Sequence, residues 1–217
     1  KAIAKSGRKI LFVATKKQGQ EVVAQKAQEI GMPYITERWA GGMLTNFPTI
    51  RKAVKKMGTI DKMMADGTFD NISKREKLQI TRQREKLEKN LGSISDLTRL
   101  PSAVFVVDVM KEHIAVAEAN RLGIPVFGIV DTNSNPNNID FVIPANDDAT
   151  KSIEVILSAV CTAIQEGLEE RKVEKADEEA AAAQAASEAP APKERRQRVR
   201  KAAPKAEAEK VAEVAAE

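Results

Sequence analysis

The chain has 217 residues and a formal net charge of +4, which suits one mid-sized domain with an extension or two small domains. It contains no apolar run of about 18 residues and no apolar leader core at its start, so we expect neither a transmembrane helix nor a secretory signal. A single cysteine and a single histidine exclude a disulfide framework, a cysteine zinc site and most histidine-based catalysis. We expect Cys161 to be a buried thiol in a reducing compartment and His113 to lie on a helix surface or partly buried.

The modest net charge conceals two halves of opposite sign. Residues 1–99 carry a net charge of +11, residues 100–168 carry −6, and the remainder carries −1. A basic half joined to an acidic half indicates a face that binds a polyanion. Uneven charge on an ordinary soluble protein is the alternative interpretation.

Four short runs of β-branched and aromatic residues, bounded by Gly, Pro or Asn, have the character of buried strands. They cover residues 10–14, 103–107, 126–130 and 141–143, and a shorter run, 34–35, follows Pro33. Each run is nearly continuous rather than alternating, which predicts strands buried on both faces, as in a parallel sheet.

Helical patterns separate most of these strands. Their apolar stripes are Val23, Ala27 and Ile30; Ile114, Ala117 and Leu122; and Ile153, Ile156, Leu157, Val160, Ile164 and Leu168. Asp147 and Asp148 can cap the last of these helices. Alternating strands and helices predict an α/β fold, an open parallel-sheet sandwich with right-handed crossovers.

Residues 45–99 break this alternation and predict an antiparallel helical hairpin. The first helix has a narrow stripe at spacings of three and four: Ile50, Val54, Met57, Ile60 and Met64. A turn follows at 66–67, and Ser73 with Glu76 has capping-box spacing for a second helix. The second stripe is Ile80, Leu87, Leu91 and Ile94, at coiled-coil-like spacing. We interpret the pair as an arm inserted in the α/β body, with two ordinary surface helices as the alternative.

The C-terminal segment has a different composition. Residues 175–217 lack Leu, Ile and aromatic residues, so they cannot bury enough apolar area to offset chain entropy, and we expect them to be disordered or only transiently helical. The basic cluster at 193–201 is either a nucleic-acid-binding extension or part of a solvated tail. The predicted organisation is therefore an α/β domain from 1–44 and 100–174, a hairpin from 45–99, and a disordered tail from 175–217.

The loop at 38–46 is the strongest candidate for a nucleic-acid contact. Its two glycines, Gly41 and Gly42, let backbone amides approach a ligand, and Thr45 or Asn46 can cap the helix that follows. Trp39 is either a stacking plate or a core residue. The residues that we expect to contact RNA are Arg38, Trp39, Gly41, Gly42, Thr45, Asn46, Arg51, Lys52, Lys55 and Lys56, with Lys16 and Lys17 as further candidates.

A nucleotide-binding enzyme of phosphoryl-transfer type is the alternative function. The carboxyl ends of the predicted strands carry Thr15, Asp108 and 131–133, and an aspartate there could hold Mg²⁺. The sequence lacks both G-x-x-x-x-G-K-[ST] and G-x-G-x-x-G, which disfavours this function. We expect Asp108, Asp131, Asp147 and Asp148 to cap helices and tie loops instead. A free adaptor that uses the hairpin for protein contacts is a third possibility.

Three blocks of sequence resemble the bacterial-type family of small-subunit ribosomal protein two. The first block is 33–46, PYITERWAGGMLTN. The second matches at Pro101, Val104, Phe105, Val106, Asp108, Glu112, Val116, Glu118, Gly123, Ile124 and Pro125. The third comprises Asp131, Thr132, Asn133, Pro136 and 143–149. The resemblance spans about 5–170, and three blocks in the family's order are far more specific than a lone glycine pattern.

The resemblance implies a flavodoxin-like domain with an inserted helical hairpin and a structural, non-catalytic role in the small ribosomal subunit. The implied partners are small-subunit ribosomal RNA and neighbouring ribosomal proteins, including the large RNA-binding protein one in bacteria. It implies a cytoplasmic location and no cofactor, and we expect no metal and no membrane partner. Family members carry a further N-terminal segment ahead of Ile10, so the chain resembles a truncated member.

Overall fold

The computed structural model describes residues 1–67 and 73–188, with side chains as far as residue 177. The strands are β1 (Ile10–Val13), β2 (Tyr34–Ile35), β3 (Ala103–Val107), β4 (Val126–Val130) and β5 (Phe141–Pro144). The helices are α1 (Ala2–Lys5), α2 (Lys17–Glu29), α3 (Phe47–Ala65), α4 (Lys74–Leu91), α5 (His113–Arg121) and α6 (Thr150–Glu188), with 3₁₀ turns at Gly92–Ile94 and Pro136–Asn138. No helix within this part of the chain is long and apolar enough to cross a membrane.

The five strands form one parallel sheet in the order β2-β1-β3-β4-β5. This order is that of flavodoxin-like doubly wound folds, in which the chain reverses direction across the sheet beside the first strand. At the centre, Phe12 of β1 lies opposite Phe105 of β3, and their rings are 5.4 Å apart. The predicted α/β class and the parallel sheet are confirmed.

Helices cover both faces of the sheet and divide the core into two layers. On one face, α2 and α6 pack with the start of the chain, and Val23, Ile153 and Leu157 are fully buried. On the other face, α5 packs with the base of the α3–α4 pair. Residues Lys1–Glu178 form one compact unit that contains α3 and α4. The finer division into an α/β domain and a separate hairpin stays a prediction.

Strand β5 is not buried on both faces, contrary to the prediction from its apolar run. Phe141 is 52% exposed and Val142 is 41% exposed. Because β5 lies at the edge of the sheet, it has one neighbouring strand, and its partly buried Ile143 packs against a core layer while Phe141 and Val142 stay exposed. Phe141 instead stacks on Phe127 with ring centroids 4.4 Å apart.

The predicted apolar stripe of α5 faces solvent rather than the core. Ile114 and Leu122 are largely exposed and Ala117 is exposed, whereas Ala115 and Ala119 are completely buried. Alanines let a helix approach a sheet closely, so packing selects the small-residue face here over the face with larger aliphatic side chains. Periodicity located this helix correctly, since it ends before Gly123 at φ +66°, but not its buried face.

Helices α3 and α4 form the predicted antiparallel hairpin. Asp61, late in α3, pairs with Arg84 in the middle of α4, and Arg51, early in α3, reaches a carbonyl just beyond the end of α4. Ser73 caps α4 by accepting a hydrogen bond from the Glu76 N–H. The predicted seam positions are the less exposed ones in both helices, except that Met64 is exposed.

Helix α6 buries the predicted face but differs at both ends. It begins at Thr150, and Asp147 and Asp148 do not cap it: the amides of Asp148 and Ala149 donate to the Asn146 side chain instead. The helix continues to Glu188, into the segment that we expected to be disordered or only transiently helical, and this stretch is rich in Ala and Glu, which favour helix. The disorder of the tail stays a prediction. The predicted tail from 189 on, including the basic cluster at 193–201, lies outside the described residues.

Candidate nucleic-acid interface

The loop at 38–46 is held in place by one carboxylate from α5. Glu118 is 8% exposed, and one of its oxygens accepts hydrogen bonds from the Trp39 indole N–H at 3.1 Å and the Gly42 N–H at 2.7 Å. The other oxygen accepts from the Leu44 N–H at 2.9 Å and from the N–H and hydroxyl of Thr45 at 3.1 and 3.2 Å. The loop therefore folds around an internal anion.

This arrangement determines the charge state of Glu118. Burial opposes ionisation, but the N–H donors of Thr45, Leu44, Trp39 and Gly42 outweigh it and hold the pKa of Glu118 below its ordinary value. The side chain is thus a carboxylate at neutral pH. Because these amides already have an acceptor, they are not available for a phosphate.

Trp39 and the glycines determine the path of the loop, and Trp39 does not form an exposed surface on which a base could stack. Trp39 is 8% exposed and belongs to the core layer that also contains Met43 and Leu44. Between the two alternatives left open by the sequence, the structure places Trp39 in the core. Gly42 has a φ of +84°, a conformation that other residues rarely adopt, while Gly41 is exposed with no atom near its missing Cβ.

The start of α3 differs from the capping pattern expected for Thr45 and Asn46. Asn46 occupies the N-cap position, but its side chain makes no capping bond to the backbone and accepts a hydrogen bond from the Thr49 hydroxyl at 2.8 Å. The Thr45 hydroxyl is directed to Glu118. Both residues remain exposed at the beginning of the helix, so their outer surfaces are accessible to a ligand.

Four predicted RNA contacts are exposed cations: Arg38, Lys52, Lys55 and Lys56. None of the four side chains has a hydrogen bond or an ion pair within the described residues. Lys52, Lys55 and Lys56 are three and four positions apart, so they share one face of α3. Together they form a short basic stripe on a helix whose start is held by the Glu118-bound loop.

Arg51 is anchored differently from these lysines. It is half-buried, and its guanidinium donates a hydrogen bond to the Leu97 carbonyl at 2.8 Å. This bond ties the first turns of α3 to the segment that follows α4. Arg51 therefore holds the base of the hairpin, whatever further contacts its remaining N–H groups make.

Lys16 and Lys17 lie at the carboxyl edge of the sheet and differ in exposure. Lys17 is exposed, but the Lys16 ammonium lies 3.2 Å from Asp108, 2.8 Å from Asp147 and 2.5 Å from Asp148. Burial opposes its charge, but these hydrogen bonds outweigh burial and raise the pKa of Lys16 above its ordinary value. Such a paired ammonium argues against Lys16 as a phosphate contact.

The loop between β1 and α2, where a doubly wound fold would hold a nucleotide phosphate, is also occupied by a glutamate. Glu112 is 3% exposed and accepts hydrogen bonds from the N–H of Thr15, at 2.9 Å, and from its hydroxyl. Gly19, in the first turn of α2, packs against Val107 and Ile153 rather than opening a phosphate cradle. This geometry disfavours the nucleotide-binding alternative.

Glu112 and Glu118 are the residues whose roles sequence reasoning missed. Both were matched to the family pattern, yet no role was assigned to either. A buried carboxylate requires several donors, but the sequence did not identify the buried face of α5 and so gave no signal that these two carboxylates are buried. Without the fold, nothing in the sequence indicates that those donors lie in loops about a hundred and about seventy-five positions earlier.

Comparison with known proteins agrees with this architecture. The family model described as ribosomal protein S2 matches residues 1–167. The chain is 80% identical over 172 residues to the small ribosomal subunit protein uS2 of Parabacteroides distasonis, covering 79% of this chain and 62% of that protein. Identity to the proteins of the same name is 77% for Bacteroides thetaiotaomicron and 74% for Porphyromonas gingivalis, each over 79% of this chain and 62% and 61% of theirs.

The chain spans about 62% of the length of the relatives that it matches best among these. The matched region contains the whole sheet, the Glu118-bound loop and both hairpin helices. The extent of the family match and the high identity show that the chain belongs to the ribosomal protein S2 family.

Proposed function

We propose that the chain is a structural constituent of the small ribosomal subunit in the cytoplasm, where it binds small-subunit ribosomal RNA and neighbouring ribosomal proteins during translation. The support is its membership of the ribosomal protein S2 family and its high identity to proteins named for that subunit. The large RNA-binding protein one is among the protein partners that the family resemblance implies.

The observation that carries the RNA-binding proposal is the set of unpaired cations on a rigid support. Arg38, Lys52, Lys55 and Lys56 are exposed, while the loop and helix that carry them are fixed by Glu118 and Arg51. Because the backbone that carries these cations is already fixed, it loses little conformational freedom on binding, so more of their attraction to phosphates appears as affinity. The chain binds RNA through charge and shape, with base contacts playing a minor part.

A catalytic role is disfavoured by the charge at the carboxyl edge of the sheet. Glu112 occupies the donors of the β1–α2 loop, and Asp108, Asp131, Asp147 and Asp148 surround a single ammonium there. The phosphates of a nucleoside triphosphate would be repelled by these carboxylates and would find no free backbone amides to bind. The nucleotide-binding enzyme is therefore the weaker candidate.

Reversing the charge of the α3 stripe tests the proposal. In a variant with Lys52→Glu, Lys55→Glu and Lys56→Glu, we expect incorporation into small subunits, measured by quantitative sedimentation, to fall at least about tenfold. These side chains are exposed and make no hydrogen bond or ion pair with a described residue, so circular dichroism and thermal unfolding should stay close to those of the unchanged chain.

The matched control reverses three exposed lysines on α6, Lys151, Lys172 and Lys175, and makes the same change in net charge. We expect this control to be incorporated nearly as well as the unchanged chain. Equal loss in both variants would mean that net charge alone governs incorporation, and no loss in the α3 variant would show that the stripe does not contact RNA.

A further inference from the structure

A cavity of about 530 Å³ opens at the edge of the sheet beside β2, between the end of α2 and the 3₁₀ turn after α4. The buried side chains of Met32 and Leu97 give it apolar walls, and half-buried Tyr34 also lines it. This volume falls in the range of about 300–1,000 Å³ that is usual for small-molecule sites. The cavity is therefore large enough to hold a planar ring system together with polar groups at its rim.

Tyr34 is held in place at both its side chain and its backbone. Its hydroxyl accepts a hydrogen bond from the Gln28 side-chain amide at 2.6 Å, and its carbonyl accepts one from the Ser93 hydroxyl. The side chain also packs partly against the core layer beneath α2. Because an aromatic ring fixed in this way loses little freedom on binding, it is a suitable surface on which a nucleobase can stack.

Asp96 supplies hydrogen-bond acceptors that the fold leaves largely unused. Its exposed side chain lines the cavity, and in the part of the chain that the structure describes its one hydrogen bond comes from the Ser95 hydroxyl at 3.4 Å. The other charged residues that line the cavity are engaged, since Glu88 is paired within α4 at 2.6 Å and Lys9 donates to a backbone carbonyl at 2.5 Å. The cavity therefore suits a ligand that carries N–H donors.

We propose that this cavity binds an unpaired guanine base of RNA, stacked on Tyr34 and held by the Asp96 carboxylate. Guanine presents its N1–H and its N2 amino group side by side, so one carboxylate can accept from both. The pairing edges of adenine, cytosine and uracil do not carry two adjacent donors. Lys9 lies at the rim, and its ammonium has further N–H donors for the phosphate of the same nucleotide.

The position of the cavity favours RNA as the source of the base, and in this respect the inference rests on the proposed RNA-binding function. Leu97 lines the cavity, and its carbonyl accepts the Arg51 hydrogen bond that ties down the start of α3, so the cavity lies at the base of the hairpin. An arginine side chain of a partner protein also combines a planar face with paired N–H donors. It would fill only a small part of this volume and would bring a second cation beside Lys9.

Titration of the full chain with 5′-GMP and 5′-AMP, followed by the amide NMR signals of Tyr34 and of residues 92–97, tests the chemistry of the cavity. We expect saturable GMP binding in the millimolar range and AMP binding that is at least about tenfold weaker. In Asp96→Asn the GMP affinity should fall about tenfold, because an amide replaces one acceptor with a donor. Asp96 is exposed, so this variant should fold, and the control Asp177→Asn, which changes an exposed aspartate of α6, should bind GMP as the unchanged chain does.

A short uridine RNA with one central guanine distinguishes RNA from a free nucleotide. We expect it to bind at least about tenfold tighter than GMP, because its flanking phosphates add contacts with cations. Replacing the guanine with inosine, which lacks the N2 amino group, should remove most of the preference over adenine.

Three results would overturn the proposal. Equal affinity for GMP and for the RNA would assign the cavity to a free guanine nucleotide, and tighter binding of acetyl-arginine amide than of GMP would assign it to a protein side chain. Equal binding of GMP and AMP, or unchanged GMP binding in Asp96→Asn, would show that Asp96 does not select guanine. These measurements need no ribosome, so their failure leaves the incorporation test of the α3 stripe standing.

Discussion

At the scale of single residues, Glu112, at the start of α5, and Glu118, within it, organise the loops that follow β1 and β2. Glu112 satisfies Thr15, and Glu118 satisfies the segment from Trp39 to Thr45. In each case a carboxylate of the chain accepts donors that could otherwise bind a ligand anion. The consequence is that the glycine-containing loop does not cradle a phosphate with its amides, and in the proposed function it positions cations for RNA instead.

Replacing Glu118 with glutamine should destabilise the fold. The amide group keeps one acceptor but places an NH₂ against N–H donors of the loop, so we expect the free energy of unfolding in urea to fall by about 2–3 kcal/mol. The exposed Glu154 provides the control, since Glu154→Gln should change stability by less than about 0.5 kcal/mol. Equal stability of the two variants would show that the loop does not need the carboxylate.

The lowered pKa of Glu118 also predicts a pH dependence. A carboxyl group with a pKa below its unfolded value of 4.5 stabilises the fold above that pH, and this contribution is lost as pH falls through the folded pKa. We therefore expect the stability difference between the unchanged chain and Glu118→Gln to be full at pH 7 and to shrink below pH 4.5. Urea unfolding at a series of pH values measures it, and a constant difference would contradict the assignment.

At the scale of elements, the sequence predicts what depends on local pattern and misses what depends on neighbours. Strands β3 and β4 were predicted to the residue, because parallel strands covered on both faces read as continuous apolar runs. The exposure of β5 follows from its place at the sheet edge, and the buried face of α5 follows from how closely alanines let it approach. The sequence of each segment alone does not show which elements lie beside it.

The same distinction holds for the candidate site. Exposure of the α3 lysines follows from their place opposite a narrow apolar stripe, so the helical period alone predicts it. The roles of Trp39 and Lys16 depend on contacts with α5 and with the aspartates of other loops. Long-range pairing of this kind cannot be deduced from spacing.

The base of the hairpin offers a prediction at this scale. Arg51→Met removes the hydrogen bond to the Leu97 carbonyl, so we expect a loss of about 1 kcal/mol in the free energy of unfolding and faster amide exchange at the start of α3. The neighbouring Lys52 is exposed without a described partner, so Lys52→Met should leave both measurements nearly unchanged. The same effect from both substitutions would mean that the hydrogen bond contributes nothing specific.

At the scale of the whole molecule, the charge asymmetry seen in the sequence has a structural counterpart. The unpaired lysines of α3 belong to the basic half of the chain, while most of the aspartates at the carboxyl edge of the sheet come from the acidic half. The acidic half supplies the internal anions Glu112 and Glu118 that shape loops of the basic half. Opposite charges therefore serve the architecture, and the proposed recognition of RNA uses the unpaired basic ones.

Salt dependence of RNA binding follows from this distribution. Each phosphate neutralised by a lysine releases counterions, so affinity for small-subunit RNA should fall steeply as salt rises. Neutralising the stripe with Lys52→Gln, Lys55→Gln and Lys56→Gln should reduce the slope of log affinity against log salt by about 3. Filter binding at several salt concentrations measures the slope, and an unchanged slope would place the phosphate contacts elsewhere.

Crosslinking of the chain to RNA in assembled small subunits, read out residue by residue, tests the central claim most directly. The chain should crosslink at Arg38 and along the stripe of Lys52, Lys55 and Lys56, because these exposed cations have no partner among the described residues. Crosslinks confined to the acidic carboxyl edge of the sheet, or a complete absence of RNA crosslinks from the loop and α3, would contradict it.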